Sequence, residues 1–218
     1  MENNLATGTP ELSGELLAQR INLSGSRRFT SQRVVLYAML AANNYPNAHR
    51  IAEEALKLFC QAHTTLVKGN ATLPNVLSEE LQAAYFGPDG SNDRVQNFIS
   101  LAERVLFGIA SNWKHQVPAL LMELVESSSV MLADLNKLTA IYEREARIHG
   151  QHVEHQLFDA MDEIKTISKR AQVVAINARI VAAHAGNSGV AFGVVATELI
   201  TMTADIDTIL DEAMTKVA

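Results

Sequence analysis

The chain has 218 residues, a formal net charge of −6, only 6% aromatic residues and an apolar content dominated by Ala, Leu, Val and Ile. That length supports one or two domains with a real core, the composition favours helices over a β-sandwich, and the acidic balance argues against general nucleic-acid binding. A single cysteine, Cys60, excludes an intramolecular disulfide framework and fits a reducing compartment.

The N-terminal residues Met1-Glu2-Asn3-Asn4 are polar and lack a signal-peptide core. Residues 1–9 are expected to form a disordered tail. Thr9-Pro10-Glu11 then reads as a helix start, with a hydroxyl N-cap, proline at the first position and an acid at the second. The first helix is expected to run to Ala42, where Asn43-Asn44-Tyr45-Pro46 breaks it. Its stretch Val34–Ala42 is the longest apolar run, far short of the roughly 20 residues needed to span a bilayer. No membrane span is therefore expected, and a cytoplasmic location follows.

A second helix is expected over 47–68, with Ile51, Ala55, Leu58 and Ala62 at helical spacing. Gly69–Pro74 reads as a loop, 77–85 as a short helix, Gly87–Ser91 as a break and 93–110 as a further helix. After Pro118 there is no further proline. One helix is expected to run without a break from 119 to 185, on the order of 100 Å at 1.5 Å per residue, with Gly150 as its weak point. Gly186-Asn187-Ser188-Gly189 is a tight turn. Before it, Val153, Leu157, Met161, Ile164, Ile167, Ala171, Val174, Ala178 and Ala182 step by threes and fours. After it, Phe192, Val195, Leu199, Met202, Ile206, Ile209, Ala213 and Val217 do the same. Such spacing puts one narrow seam on each arm of an antiparallel hairpin. Two thin seams bury little alone, so two chains are expected to pair into a four-helix bundle. The expected fold is all-α and dimeric: a four-helix-type bundle over 10–148, continued by the long helix into a coiled-coil hairpin over 149–218.

Charge is distributed unevenly. Between Glu15 and Glu53 there is no carboxylate, yet Arg20, Arg27, Arg28, Arg33 and Arg50 lie there, and the first lysine is Lys57. Guanidinium groups are rigid planar forks that match small oxyanions. Helical spacing sets Ser24 and Gly25 one turn before Arg28, and Ser31 and Gln32 one turn after it. Composition and spacing leave two readings open: a solvated basic face or arginines paired with acids of other helices, Arg33 with Glu53 or Glu54 for instance, and an oxyanion site at Arg28, Ser24, Gly25, Ser31 and Arg33. A glycine at 25 suits close approach of another backbone, such as a partner's first helix.

The run Ile21-Asn22-Leu23-Ser24-Gly25-Ser26-Arg27-Arg28-Phe29-Thr30-Ser31-Gln32-Arg33 resembles the signature box of the type IV pilus chemotaxis-transducer N-terminal domain, shared with bacterial nitrate/nitrite sensor kinases. The resemblance follows the helix order over roughly 12–148. It implies a dimerising helical bundle in which nitrate or nitrite sits between paired arginines at the dimer interface, Arg28 being the matching position. Residues 171–199 resemble the cytoplasmic tip of methyl-accepting chemotaxis proteins, through Asn177, Ala178, Ala182, Ala183, Gly186, Gly189, Phe192, Val195 and Glu198. This implies contacts with a chemotaxis coupling protein, a histidine kinase or other receptors, through Asn177, Val181, His184 and Phe192. Val181 replaces the family's tip glutamate and His184 an arginine, so a charge pair is lost. The spanning helices that normally flank this sensor domain are not found, which again implies cytoplasmic sensing.

His149, His152 and His155 recur every three residues. Three such positions spread over about 120° of one helix, a poor chelate, so no metal or cofactor is expected. A metal- or haem-binding bundle using these histidines stays open as an alternative, as does a non-sensing adaptor dimer for chemoreceptor arrays. No nucleophile elbow, phosphate loop or metalloprotease motif occurs, so no enzymatic activity is expected.

Overall fold

The computed structural model describes residues 13–75 and 77–217. The described residues are helical with no strand, which makes the protein all-α. The helices are α1 (Gly14–Ala42), α2 (Ala48–Lys68), α3 (Glu79–Phe86), α4 (Ser91–Ala110), α5 (Val117–His184) and α6 (Val190–Val217), with a 3-10 turn at Gly186–Gly189. The expected start at Thr9-Pro10-Glu11 and the expected tail over 1–9 lie outside the described residues. α1 begins instead behind Ser13, whose side chain accepts from the Leu16 amide. Asn44 and Asn47, both at positive φ, carry the chain from α1 into α2. α5 is continuous through Gly150, where an added Cβ would meet nothing within 4 Å.

The chain divides into two compact units, one up to Arg147 and one from Ile148. The first packs α1, α2, α4 and the first part of α5 around one core, with α3 laid on it. Phe59, Leu81, Val95, Phe98, Val105, Leu124 and Leu135 are fully buried there. Phe59 and Phe98 meet edge to face with centroids 5.5 Å apart.

The second unit is the hairpin of late α5 and α6. A Cβ on Gly189 would lie 2.0 Å from the Ala182 carbonyl oxygen, and Gly186 sits at φ +58°, so the turn requires both glycines. The arms meet through Ser168, Ala175 and Ala182 on α5 and Ala196, Thr203 and Leu210 on α6, all buried. Ser168 Oγ donates to the Thr203 carbonyl at 3.0 Å and Lys165 Nζ to Asp211 Oδ1 at 2.6 Å.

This corrects the expected seam in part. Ala182 lies between the arms, but Val153, Leu157, Ile164, Ile167 and Val174, and Phe192, Val195, Leu199, Met202, Ile206 and Ile209, are all exposed on the hairpin. The arms close through the neighbouring stripe because its small residues let the two backbones approach. Gly186–Thr215 is long and apolar enough, by length and composition alone, to cross a membrane, with a mean hydropathy of 1.4.

Candidate functional site

The site is organised by α1, which has two distinct faces. Leu17, Arg20, Ser24, Arg27, Ser31, Val34, Ala38 and Ala41 step by threes and fours, and every one is buried. On the outer side, Ala18, Asn22, Phe29, Gln32, Leu36 and Met39 are exposed in the same rhythm, with Gly25 half-buried among them. Successive residues on a helix point about 100° apart. Arg27 and Arg28 therefore diverge, the first into the bundle and the second towards its surface.

Arg28 is half-buried, and its Nη1 donates to Asn136 Oδ1 of α5 at 3.3 Å. A Cβ on Gly25 would lie 3.7 Å from Arg28 Nη2 and near nothing else, so no crowding within the protomer demands a glycine there. Ser24 and Ser31 do not frame the Arg28 guanidinium as expected. Both are on the buried face: Ser24 bonds Thr139 and Arg27, and Ser31 Oγ donates to the Arg28 carbonyl. Arg33 does not reach α2. Its guanidinium lies over Phe29 at 6.0 Å and Tyr37 at 5.4 Å, one helical turn either side. Glu53 and Glu54 pair instead with His49 and Arg50 on their own helix. Of the expected set, only Gly25 and Arg28 share a surface. Asn136 joins them, a residue whose role is set by a contact across 108 positions.

The buried face carries a polar cluster that the sequence reading missed. Arg27 is 0% exposed and Arg20 is 2% exposed. Arg27 Nη2 donates to Ser24 Oγ at 3.2 Å; Ser24 passes its own proton to Thr139 Oγ1 at 2.8 Å, since the Thr139 hydroxyl donates to the Leu135 carbonyl. Arg27 Nη1 lies 3.2 Å from His63 Nδ1. Arginine can only donate, so Nδ1 accepts and Nε2 carries the proton, which goes to Asn92 Oδ1 at 3.2 Å. Burial, and then the Arg27 charge, push the His63 pKa down to about 4, so the ring is neutral. The Arg27 guanidinium also lies over the Tyr85 ring at 5.6 Å, and the Tyr85 and Tyr142 hydroxyls are 3.1 Å apart. Burial raises the Tyr142 pKa far above its usual value, helped by Tyr85. The signal for this face was present: the apolar positions Val34, Ala38 and Ala41, continued backwards at the same spacing, reach Ser31, Arg27, Ser24 and Arg20.

On the hairpin, Asn177, Val181, His184 and Phe192 are all exposed around the turn. His152 and His155 are exposed and His149 is half-buried. Among the described residues, no group of three or more His, Cys, Asp or Glu side chains could hold a metal ion.

No curated protein and no solved structure matches the chain. The match that exists is to a family model and covers α1, α2, α3 and the start of α4, stopping short of α5 and the hairpin. Residues 13–97 match the type IV pili methyl-accepting chemotaxis transducer N-terminal domain (PilJ), a similarity that suggests a role in chemotaxis-transducer signalling.

Proposed function

We propose that the protein is a cytoplasmic sensor that binds a small oxyanion, nitrate or nitrite, between two copies of α1. The reading rests on one observation: Arg28 borders an unpartnered stripe. Phe29, Leu36 and Met39 are exposed on α1 at coiled-coil spacing, with Gly25 at the level of Arg28. Ser129, Ala133, Asn136 and Ala140 form a second exposed, small-residue row on α5. A second copy seated on these rows about a two-fold axis would bring the two Arg28 side chains together. Two like charges at such an interface repel, and a planar anion accepting from both forks relieves the repulsion. Ligand binding would then shift the α1 pair, the kind of two-state element a sensor uses. The exposed tip residues Asn177, Val181, His184 and Phe192 offer the output surface, for a coupling protein, a histidine kinase or another receptor.

Calorimetry of the full chain with nitrate, nitrite, sulfate and chloride tests the reading. Nitrate or nitrite is expected to bind, and Arg28→Ala is expected to weaken that binding by about 2–5 kcal/mol while leaving the fold intact. Binding unchanged in Arg28→Ala, or no nitrate or nitrite heat in the parent chain, would overturn it.

A further inference from the structure

We propose that the buried face of α1 holds a second anion site, separate from Arg28 and enclosed within a single protomer. Its ligand is one small monovalent anion, a halide or a nitrate-sized oxyanion, bound by Arg20 and Arg27. The first argument is charge. Arg20 and Arg27 are two turns apart on the same face of α1, both at least nine-tenths buried, and both act on Tyr142. Among the described residues, neither guanidinium makes a salt bridge. The acid that acts most on Arg20 is Glu145, which keeps its charge while accepting the Ser78 hydroxyl but does not come within ion-pair distance of the guanidinium. Buried charges are normally paired, because an uncompensated one must bear its full desolvation cost.

The second argument is the hydrogen-bond inventory. Arg20 Nη2 reaches the Pro74 carbonyl at 3.0 Å, but its Nη1 finds no protein acceptor; Arg27 uses both terminal nitrogens, but its Nε finds none. The pair of tyrosines adds a third donor. When one hydroxyl donates to the other, the accepting hydroxyl keeps its own proton to give elsewhere. The polar side chains around Arg27 are engaged with one another: Ser24 Oγ accepts from Arg27 Nη2, Thr139 Oγ1 accepts from Ser24, and Asn92 Oδ1 accepts from His63, and none of them reaches Arg20 Nη1 or Arg27 Nε. Two donors on two positive charges are left over. A single anion accepting from Arg20 Nη1, Arg27 Nε and a tyrosine hydroxyl settles both imbalances at once. A neutral water would satisfy donors but leave the charges uncompensated.

The experiment uses the full chain carrying Arg28→Ala, which removes the proposed interface site and so separates the two. Thermal unfolding is followed against bromide and against nitrate, at constant ionic strength with gluconate as the bulky counter-anion. The expected result is a saturable rise in midpoint of about 5–10 °C, with anion at roughly a hundredfold over its Kd. Adding Arg27→Met should abolish it. No saturable rise in the Arg28→Ala chain, or a rise that persists with Arg27→Met, overturns the proposal. If Arg27→Met does not fold, crystals of the Arg28→Ala chain grown in bromide decide. An anomalous peak between Arg20 and Arg27 supports the site, and no peak there at saturating bromide refutes it. Failure of this test leaves the Arg28 reading untouched, because Arg28 is absent throughout.

Discussion

The two units of this chain solve the packing problem in opposite ways. The N-terminal bundle puts its large side chains inside: Phe59, Phe98, Leu81, Leu124 and Tyr142 are buried. The hairpin puts small and polar ones inside, Ser168, Ala175, Ala182, Ala196 and Thr203, and leaves Phe192, Leu199, Met202 and Ile209 on its surface. A helix pair that buries alanine, serine and threonine gains little from burial, at roughly 25 cal/mol per Å² of apolar area. The bundle therefore has a large apolar core of its own within one chain, whereas the hairpin has most of its large apolar side chains still to cover. The contrast separates a part that holds its shape from within from a part whose large side chains face outward.

The sharpest way to break this comparison is in the bundle core. Phe59→Ala removes a fully buried ring that packs edge to face on Phe98. It should cost about 3–5 kcal/mol and lower the unfolding midpoint of the bundle by roughly 10 °C, as read by circular dichroism. A change below about 1 kcal/mol would mean the core is not packed as described.

Next in size is the effect of pH on the polar part of that core. His63 is faced by Arg27, Tyr85 and Asn92, and its folded pKa is held down to about 4 against an ordinary 6.5. The unfolded chain takes up the proton first. This contribution to stability is complete above pH 6.5 and is lost as pH falls towards 4, to a limit of roughly 3 kcal/mol. Urea midpoints between pH 7 and pH 4 should fall accordingly, and His63→Asn should flatten that part of the curve. An equal slope in the variant would remove His63 as its source.

The smallest effect on the fold, and the most telling for the comparison, belongs to the hairpin. Phe192 is 53% exposed, so Phe192→Asp should change the stability of one chain by no more than about 0.5 kcal/mol. The same change should weaken self-association in analytical ultracentrifugation if the apolar stripe is where two hairpins pair. Unchanged association would assign that stripe to another partner.

How much of this was legible beforehand differs by feature. Helix order and ends were, because proline, asparagine and glycine at the breaks act locally: α2, α4 and α5 begin within two residues of their expected starts, and α1 stops at Ala42. Which stripe of the hairpin closes was not. A heptad of large apolar residues and one of small residues run side by side, and only backbone proximity at Gly189 and Ala182 selects the small one. The placement of the box residues was half legible. Arg28 and Gly25 were expected to share a surface and do, but Ser24 and Ser31 were assigned to that surface because spacing of three or four cannot say which side of a helix is wet.

The sequence by itself determined an all-α chain, its breakpoints, and a cation-only stretch that had to be accommodated somewhere. Those follow from local backbone preferences and from composition, which are independent of what packs against what. Only the tertiary structure decided that Arg27 goes inward and Arg28 outward. The 100° step between neighbouring helix positions turns two adjacent, chemically identical side chains into a core residue and a surface residue. The direction of each was fixed by Thr139, His63 and Tyr85 on one side and Asn136 on the other, residues supplied by distant parts of the chain.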